Sequence, residues 1–290
     1  MASLRSVLTG RPSISVAMAT YNGERFLPEM LESLAVQTLL PDEVVIRDDG
    51  SEDATVSLLH GFARRVPFRV EVMTGGPHLG HSQNAVVASR VCRGSLILFA
   101  DQDDVWRPTK LATVADRVRR RTPLAMFHDY ALVDEQGARR ADSCYDLLAE
   151  RGLPPAAAYE GCTMAVTRRF VDDWGWPGAD SGVPHDYWVA LLATAFGQRR
   201  NLRVQLSDHR LHGVDPAAWV PEAPSHERGK GVGPLRALVD LGARSPDPRS
   251  RTRVFLEVLR ERGDAVDHAA AKRLRKLLRA DLRRHRSATR

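Results

Sequence analysis

The sequence predicts an α/β fold built on a mainly parallel sheet, and three observations carry that expectation. Short apolar runs alternate with amphipathic stretches from Ser13 onward, the stretches between runs are long enough to be crossover helices, and three of the runs end in clusters of polar residues. In an open parallel sheet, polar strand ends gather at the carboxyl edge, where loops and helix N-termini leave a crevice for ligands.

Strands are expected, in chain order, at 13–20 (SISVAMAT), 43–48 (EVVIRD), 68–74 (FRVEVMT) and 95–100 (SLILFA), with helices at 24–37, 53–65 and 82–92 between them. In the first helix Phe26, Leu27, Met30, Leu31 and Leu34 recur at spacings of one, three and four, and Pro28 falls in the first turn, where its missing N–H costs least. Further on, HDYWVALLATAFG (185–197) reads as a helix with Trp188, Leu191, Leu192 and Ala195 on one side and Asp186 at its start. Residues 214–250 are rich in Pro and Gly and are expected to form a loop, one able to close over substrate. From Thr252 to Arg286 the pattern is helical again, with Leu274, Leu277, Leu278 and Leu282 on one stripe flanked by Lys and Arg. Such a helix either lies on anionic lipid or packs its leucines on the domain.

A chain of 290 residues can bury a substantial core as one large domain with an appended helical part. Cys92, Cys144 and Cys162 are far apart and form no CxxC pair, which argues against a disulfide framework or a zinc site and suits a reducing cytoplasm. Met1 to Pro12 lacks an apolar stretch of signal length, and no segment approaches the roughly 20 apolar residues that span a bilayer, so a cytosolic protein is expected. The net charge of +6 is unevenly spread: residues 251–290 hold 13 Lys/Arg and 5 Asp/Glu, a local +8, and the rest of the chain carries −2.

The first strand ends in Thr20-Tyr21-Asn22, the second in Asp48-Asp49-Gly50-Ser51 and the fourth in Asp101-Gln102-Asp103-Asp104. DDGS alone is good turn chemistry. Three polar ends on one edge, however, describe a site. Like charges repel and resist burial, so the carboxylates after Phe99-Ala100 call for solvent or a cation. A D-x-D pair offers hard oxygen ligands to Mg²⁺ or Mn²⁺, which prefer a site completed by water and a diphosphate. Neither GxxxxGK[ST] nor a GxGxxG after the first strand is present, which argues against a P-loop enzyme and a dinucleotide dehydrogenase.

The continuous stretch from SISVAMATYNGERF through QT, DDGS and Asn84 to LILFADQDDVWRPTKL, residues 13–111, resembles the nucleotide-sugar-binding half of the family 2 glycosyltransferases, which have the GT-A fold. The resemblance implies that Thr20, Tyr21 and Glu24 line the base and ribose pocket, that Asp49 bonds the pyrimidine edge while Asp48 fixes its loop, and that Asp101 sits near ribose and sugar. Asp103 would hold the metal bridging the donor's diphosphate. Asp104 reads at least as well as a cap for a helix beginning near Pro108, and Trp106 as packing. Residues 124–213 would be the acceptor half. There GCTMAVTRRF (161–170), HDYW (185–188) and DHRLHG (208–213) are similar to a subset containing many bacterial rhamnosyltransferases. This implies an inverting transfer from a nucleoside-diphosphate sugar, dTDP-rhamnose or a UDP-hexose, to a glycan, glycolipid or other hydroxyl acceptor of surface polysaccharide assembly. Asp186 would be the general base, although an Asp at a helix start also serves as a cap. Tyr187 stands where the family often has Trp. His212 matches the subset's histidine and would be a further metal ligand or a partner of the diphosphate; Arg210 matches its arginine. His209 replaces an aromatic ring and reads as structural, and His78, His81 and His128 read as surface or satisfied loop residues.

Two other classes remain open from the sequence alone. A glycoside hydrolase also uses two carboxylates, but has no use for a diphosphate-suited D-x-D. A nucleic-acid-binding module would use the basic tail, but neither stacking aromatics nor a reader motif accompanies it, and the crevice is acidic.

Overall fold

The structure is a computed structural model, and it describes residues 11–120, 124–213, 219, 233–242 and 247–287. The first half runs β1 (Ile14–Thr20), α1 (Leu27–Ala35), β2 (Glu43–Asp48), α2 (Thr55–Arg65), β3 (Arg69–Met73), α3 (His81–Val91), β4 (Leu96–Ala100), β5 (Val105–Trp106) and α4 (Lys110–Arg120). The second half runs β6 (Ala125–Val133), β7 (Arg139–Ala141), α5 (Cys144–Glu150), β8 (Met164–Thr167), α6 (Arg168–Trp174), α7 (His185–Ala195) and β9 (Arg199–Arg210), and then α8 (Pro234–Gly242), α9 (Pro248–Val258) and α10 (Asp264–Ser287).

Among the described residues one sheet has the order β3-β2-β1-β4-β8-β6-β9-β5, with β7 paired to β6. The four expected strands form its parallel part. β8 then runs antiparallel to β4, and the remainder of the sheet is mixed. Because β1 has partners on both edges and helices on both faces, its apolar residues divide by period two: Ile14, Val16 and Met18 join the core under α1, α2 and α4, while Ala17 and Ala19 join the core under α3 and α7. β4 divides the same way, with Leu96 and Leu98 on one face and Ile97 and Phe99 on the other. β3 is the edge strand, and its Arg69 and Glu71 keep that edge polar.

The C-terminal helices belong to the second core. Leu238 and Val239 of α8, Phe255 of α9 and Ala270, Ala271, Leu274 and Leu278 of α10 are all buried there. Two expectations change accordingly. The Pro/Gly-rich stretch is not loop throughout, because Leu235, Leu238 and Val239 form an apolar stripe that makes 234–242 helical; residues 214–218, 220–232 and 243–246 lie outside the described residues. Leu274 and Leu278 of the basic tail pack on the domain. No helix among the described residues is long and apolar enough to cross a membrane.

Candidate active site

The parallel register places Thr20 beside Asp48 and Met18 beside Ala100, so β1, β2 and β4 end level with one another, at the point where the strand order reverses around β1. Three loops leave those ends and are stitched together. Asn22, at φ 44°, accepts from Glu52 N–H through its side chain, while its own N–H donates to Ser51 Oγ at 2.8 Å. Gln102 exchanges two hydrogen bonds with the backbone of Tyr21, at 2.9 and 3.0 Å. Gly23 is needed for that approach, since a Cβ there would collide with Gln102 Oε1.

Over these loops opens a cavity of about 450 Å³. Six of the expected residues, Thr20, Tyr21, Asp49, Asp101, Asp103 and His212, line it. Tyr21 is 47% exposed, with its ring edge-on to His78 at 4.7 Å, an open aromatic face suited to a base. Thr20 turns its hydroxyl away to donate to Asp48 Oδ2 at 2.9 Å. Asp48 also accepts from Ser51 N–H and Oγ at 2.8 and 2.6 Å, and so braces the DDGS turn from below.

Asp49 is buried and accepts from Leu79 N–H (2.8 Å), Gly80 N–H (2.7 Å) and Arg47 Nη1 (2.6 Å). Burial raises its pKa, but these donors outweigh it and hold the carboxyl below its usual range. Arg47 also donates to Asn84, whose amide donates to the Arg47 carbonyl at 2.7 Å. Arg47 was not singled out from the sequence, where it is one of three charged residues in EVVIRD. Glu24 does not line the cavity: its carboxylate accepts from Ala54 N–H at 2.9 Å, at the start of α2.

The acidic side of the cavity is built by β4 and β9. Asp103 Oδ2 lies 2.6 Å from His212 Nε2, although 109 positions separate them. Both remain partly exposed to the cavity, so a carboxylate oxygen and an imidazole nitrogen converge where a hard divalent ion would be accepted. Asp101 lies 3.5 Å from His81 Nε2; burial, and then Asp104 and Asp103, push its carboxyl upward against the pull of His81. Asp101, Asp103 and Asp104 thus repel one another here, a repulsion that a cation would relieve. Arg210, which also lines the cavity, donates to the Asp103 carbonyl at 3.0 Å and to Glu29 Oε2 at 2.6 Å and so fixes the loop.

Asp104 is not a helix cap. It is buried and accepts from His209 Nδ1 at 2.8 Å, because β5 pairs with β9 and carries the two together. Burial disfavours the charged imidazole, but Asp104 prevails and pushes His209 up to about 9. Cys162 completes this knot, its ligand atom and those of Asp104 and His209 all lying within 4.8 Å of one another. Below it the buried Lys110, lowered to about 7 by burial, donates to the Cys162 carbonyl at 2.7 Å and stands 3.7 Å over the Trp106 ring. With His209 held protonated by Asp104, positive charge is supplied to this cluster from within the chain. His128 is not a loop residue but a buried one in β6, while His78 and His81 line the cavity.

Asp186 heads α7, whose N-terminus is tied to α3 by Ser82 Oγ, 2.8 Å from His185 N and 3.1 Å from His185 Nδ1. Among the described residues its side chain is hydrogen-bonded to the next N–H alone, that of Tyr187, at 2.6 Å, and the residue preceding the helix is Pro184. Burial pushes its carboxyl up to about 7, with Glu160 and Asp101 adding to the rise. Asp186 itself is not among the residues that line the cavity. Glu160 was missed by sequence reasoning; burial raises its pKa too, and its Oε2 has no hydrogen-bond partner among the described residues.

The profile of "Glycosyl transferase family 2" matches residues 15–175. The chain belongs to that family. An uncharacterised glycosyltransferase of Nostoc is 24% identical over 234 residues, 75% of this chain and 70% of that protein. The poly(ribitol-phosphate) β-N-acetylglucosaminyltransferase TarS of Staphylococcus aureus is 37% identical over 95 residues, 31% of this chain and 16% of that protein. In structure the transferase superposes on TarS residues 1–349 in complex with UDP-GlcNAc with a TM-score of 0.58 at 16% identity, covering 95% of this chain and 92% of that one. The mannosyltransferase PcManGT of Pyrobaculum calidifontis, in complex with GDP-Man and Mn²⁺, gives 0.59 at 17% identity, covering 94% and 86%. These likenesses establish the GT-A fold, and with the family they make the protein a glycosyltransferase that uses a nucleotide-sugar donor.

Proposed function

We propose that the transferase is metal-dependent and inverting, and that it moves a sugar from dTDP-rhamnose or a UDP-hexose to a hydroxyl of a glycan, glycolipid or other acceptor in bacterial surface polysaccharide assembly, at the inner face of the membrane. The observation that carries the reading is the convergence of Asp103 and His212 beside the Tyr21 and Asp49 end of one cavity. Asp103 and His212 would hold Mg²⁺ or Mn²⁺, which would neutralise the departing diphosphate. Tyr21 would carry the base, Asp49 its polar edge, and Asp101 the sugar side. The ligands named for TarS and PcManGT, UDP-GlcNAc and GDP-Man with Mn²⁺, belong to the same donor class and support it.

In this reading Asp186 accepts the proton of the acceptor hydroxyl as that oxygen bonds to the anomeric carbon and the bond to the diphosphate breaks on the opposite face. Asp101 and Asp103 stand on the leaving-group side and cannot serve as that base. A carboxyl titrating near 7 is well suited to the role, being half deprotonated at neutral pH and a stronger base than an ordinary aspartate.

The test is release of nucleoside diphosphate from a panel of dTDP-, UDP- and GDP-sugars, with Mg²⁺, with Mn²⁺ and with chelator. Metal-dependent turnover of a dTDP- or UDP-sugar is expected. Turnover unaffected by chelator removes the metal from the reading, and release of free sugar from a glycan with no nucleotide requirement replaces it with a hydrolase.

A further inference from the structure

We infer that the C-terminal helix α10 carries an electrostatic docking face for an anionic lipid bilayer, binding by charge alone and without insertion. The inference rests on the membrane-side acceptor proposed above, and names the surface by which the transferase would reach it.

Asp267 breaks the helix with φ −160° and caps its C-terminal segment, the carboxylate accepting from Ala270 N–H at 2.9 Å. Beyond that cap the two sides of the helix differ sharply. Ala270, Ala271, Leu274, Leu278 and Asp281 are buried. Lys272, Arg273, Lys276, Arg279 and Arg283 are exposed. Positions 272, 276, 279 and 283 recur at the i, i+4, i+7, i+11 spacing, which at about 100° per residue confines them to an arc of roughly 60°. Over those positions the helix rises about 16 Å, so the four cations form a straight row along one face.

Three features decide what that row meets. The acids of the segment after the cap do not compensate it: Asp281, the acid between Lys272 and Arg283, is buried on the opposite side. None of Lys272, Arg273, Lys276, Arg279 and Arg283 forms an ion pair with a described residue. Of the leucines that could enter a bilayer, Leu274 and Leu278 are buried in the core and Leu277 and Leu282 are half-buried away from the row of cations, so the face offers charge with no apolar wedge. A planar row of cations without stacking aromatics or groove-reading side chains is complementary to a plane of phosphodiester headgroups rather than to bases. The rest of the chain is slightly acidic, so this face also orients the molecule on such a surface.

The experiment is co-sedimentation of the 290-residue chain with phosphatidylglycerol/phosphatidylcholine vesicles and with phosphatidylcholine alone, for the parent and for a variant carrying Lys272→Gln, Lys276→Gln, Arg279→Gln and Arg283→Gln. At about 1 kcal/mol, or fivefold, per basic residue near the surface, the variant should lose on the order of 10² or more in partitioning. The parent's binding should also collapse in high salt, as unscreened charge without insertion requires. Circular dichroism and release of nucleoside diphosphate from soluble donor should be unchanged, because none of the four residues touches the core or the cavity. Should the fourfold variant misfold, the Lys272→Gln, Lys276→Gln pair alone should still lower partitioning by roughly 25-fold. Equal binding of parent and folded variant, binding that survives high salt, or a parent that ignores vesicles while binding single- or double-stranded nucleic acid would each overturn the inference. Loss of donor turnover in the parent would instead refute the catalytic reading and leave vesicle binding standing.

Discussion

Asp186→Asn separates donor chemistry from acceptor chemistry and does so with a pH signature. The carboxyl titrates at about 7 instead of 3.8, a gain of about three powers of ten in proton affinity. With proton transfer about half complete in the transition state, that gain is worth on the order of 30-fold in rate over an ordinary aspartate, within a total general-base contribution of roughly 10²–10⁴. The protonation state sets the sign. Below pH 7 the raised carboxyl is increasingly neutral and unable to accept a proton, so kcat/KM for transfer should fall about tenfold per pH unit, and above pH 7 it should level off. The amide variant should lose 10²–10⁴ in transfer and lose this acid limb, yet bind donor and metal within a few fold of the parent. The assay is transfer to acceptor across pH 5 to 9, with calorimetry of nucleoside diphosphate binding and circular dichroism as controls. A folded variant with full transfer, or one that retains the same acid limb, would refute the reasoning; loss of donor binding would make Asp186 part of the donor site.

Asp103→Asn and His212→Ala should each weaken Mn²⁺-dependent binding of a nucleoside diphosphate by tenfold or more while leaving metal-free binding little changed, as calorimetry reads directly. Gly23→Ala forces a Cβ into Gln102 and should break the Tyr21–Gln102 exchange, raising KM for donor more than it lowers kcat. Truncation after Asp267 removes Ala270, Ala271, Leu274 and Leu278 from the core; at about 2–5 kcal/mol for each leucine lost, the product should be insoluble or melt far below the parent, and a stable, active truncation would contradict the packing.

How much of this was legible depended on whether the signal was local. β2 lies where EVVIRD placed it, and the polar ends of β1, β2 and β4 meet as the alternation of runs implied, because strands buried on both faces read as largely apolar runs that give way to polar residues at their ends. α1 starts later than the expected 24, since Glu24 is taken up in the loop stitching ahead of it. The mixed extension beyond β4 was not legible. His128 and Asp129 interrupt β6 with polar side chains, and its pairing to β9 spans a register shift, so neither periodicity nor spacing announced it. The contact of Asp104 with His209 exists only because that extension brings β5 and β9 together; read locally, an aspartate a few residues before a helix is a cap. The tail was ambiguous for the converse reason. A leucine stripe beside basic residues is the same pattern on lipid and on a protein core, and only the presence of Phe255 and Leu259 opposite it decides for the core.

The central claim is that Asp103 and His212 hold a divalent ion beneath a donor whose base lies between Tyr21 and Asp49. A crystal of the protein grown with Mn²⁺ and the nucleoside diphosphate it binds, measured for anomalous scattering at the manganese edge, tests that claim most directly. The account predicts one anomalous peak between the Asp103 carboxylate and His212 Nε2, in contact with the diphosphate, and the base against the Tyr21 ring. A peak at Asp104, Cys162 and His209 instead, or a nucleotide bound away from Tyr21 and Asp49, would contradict it.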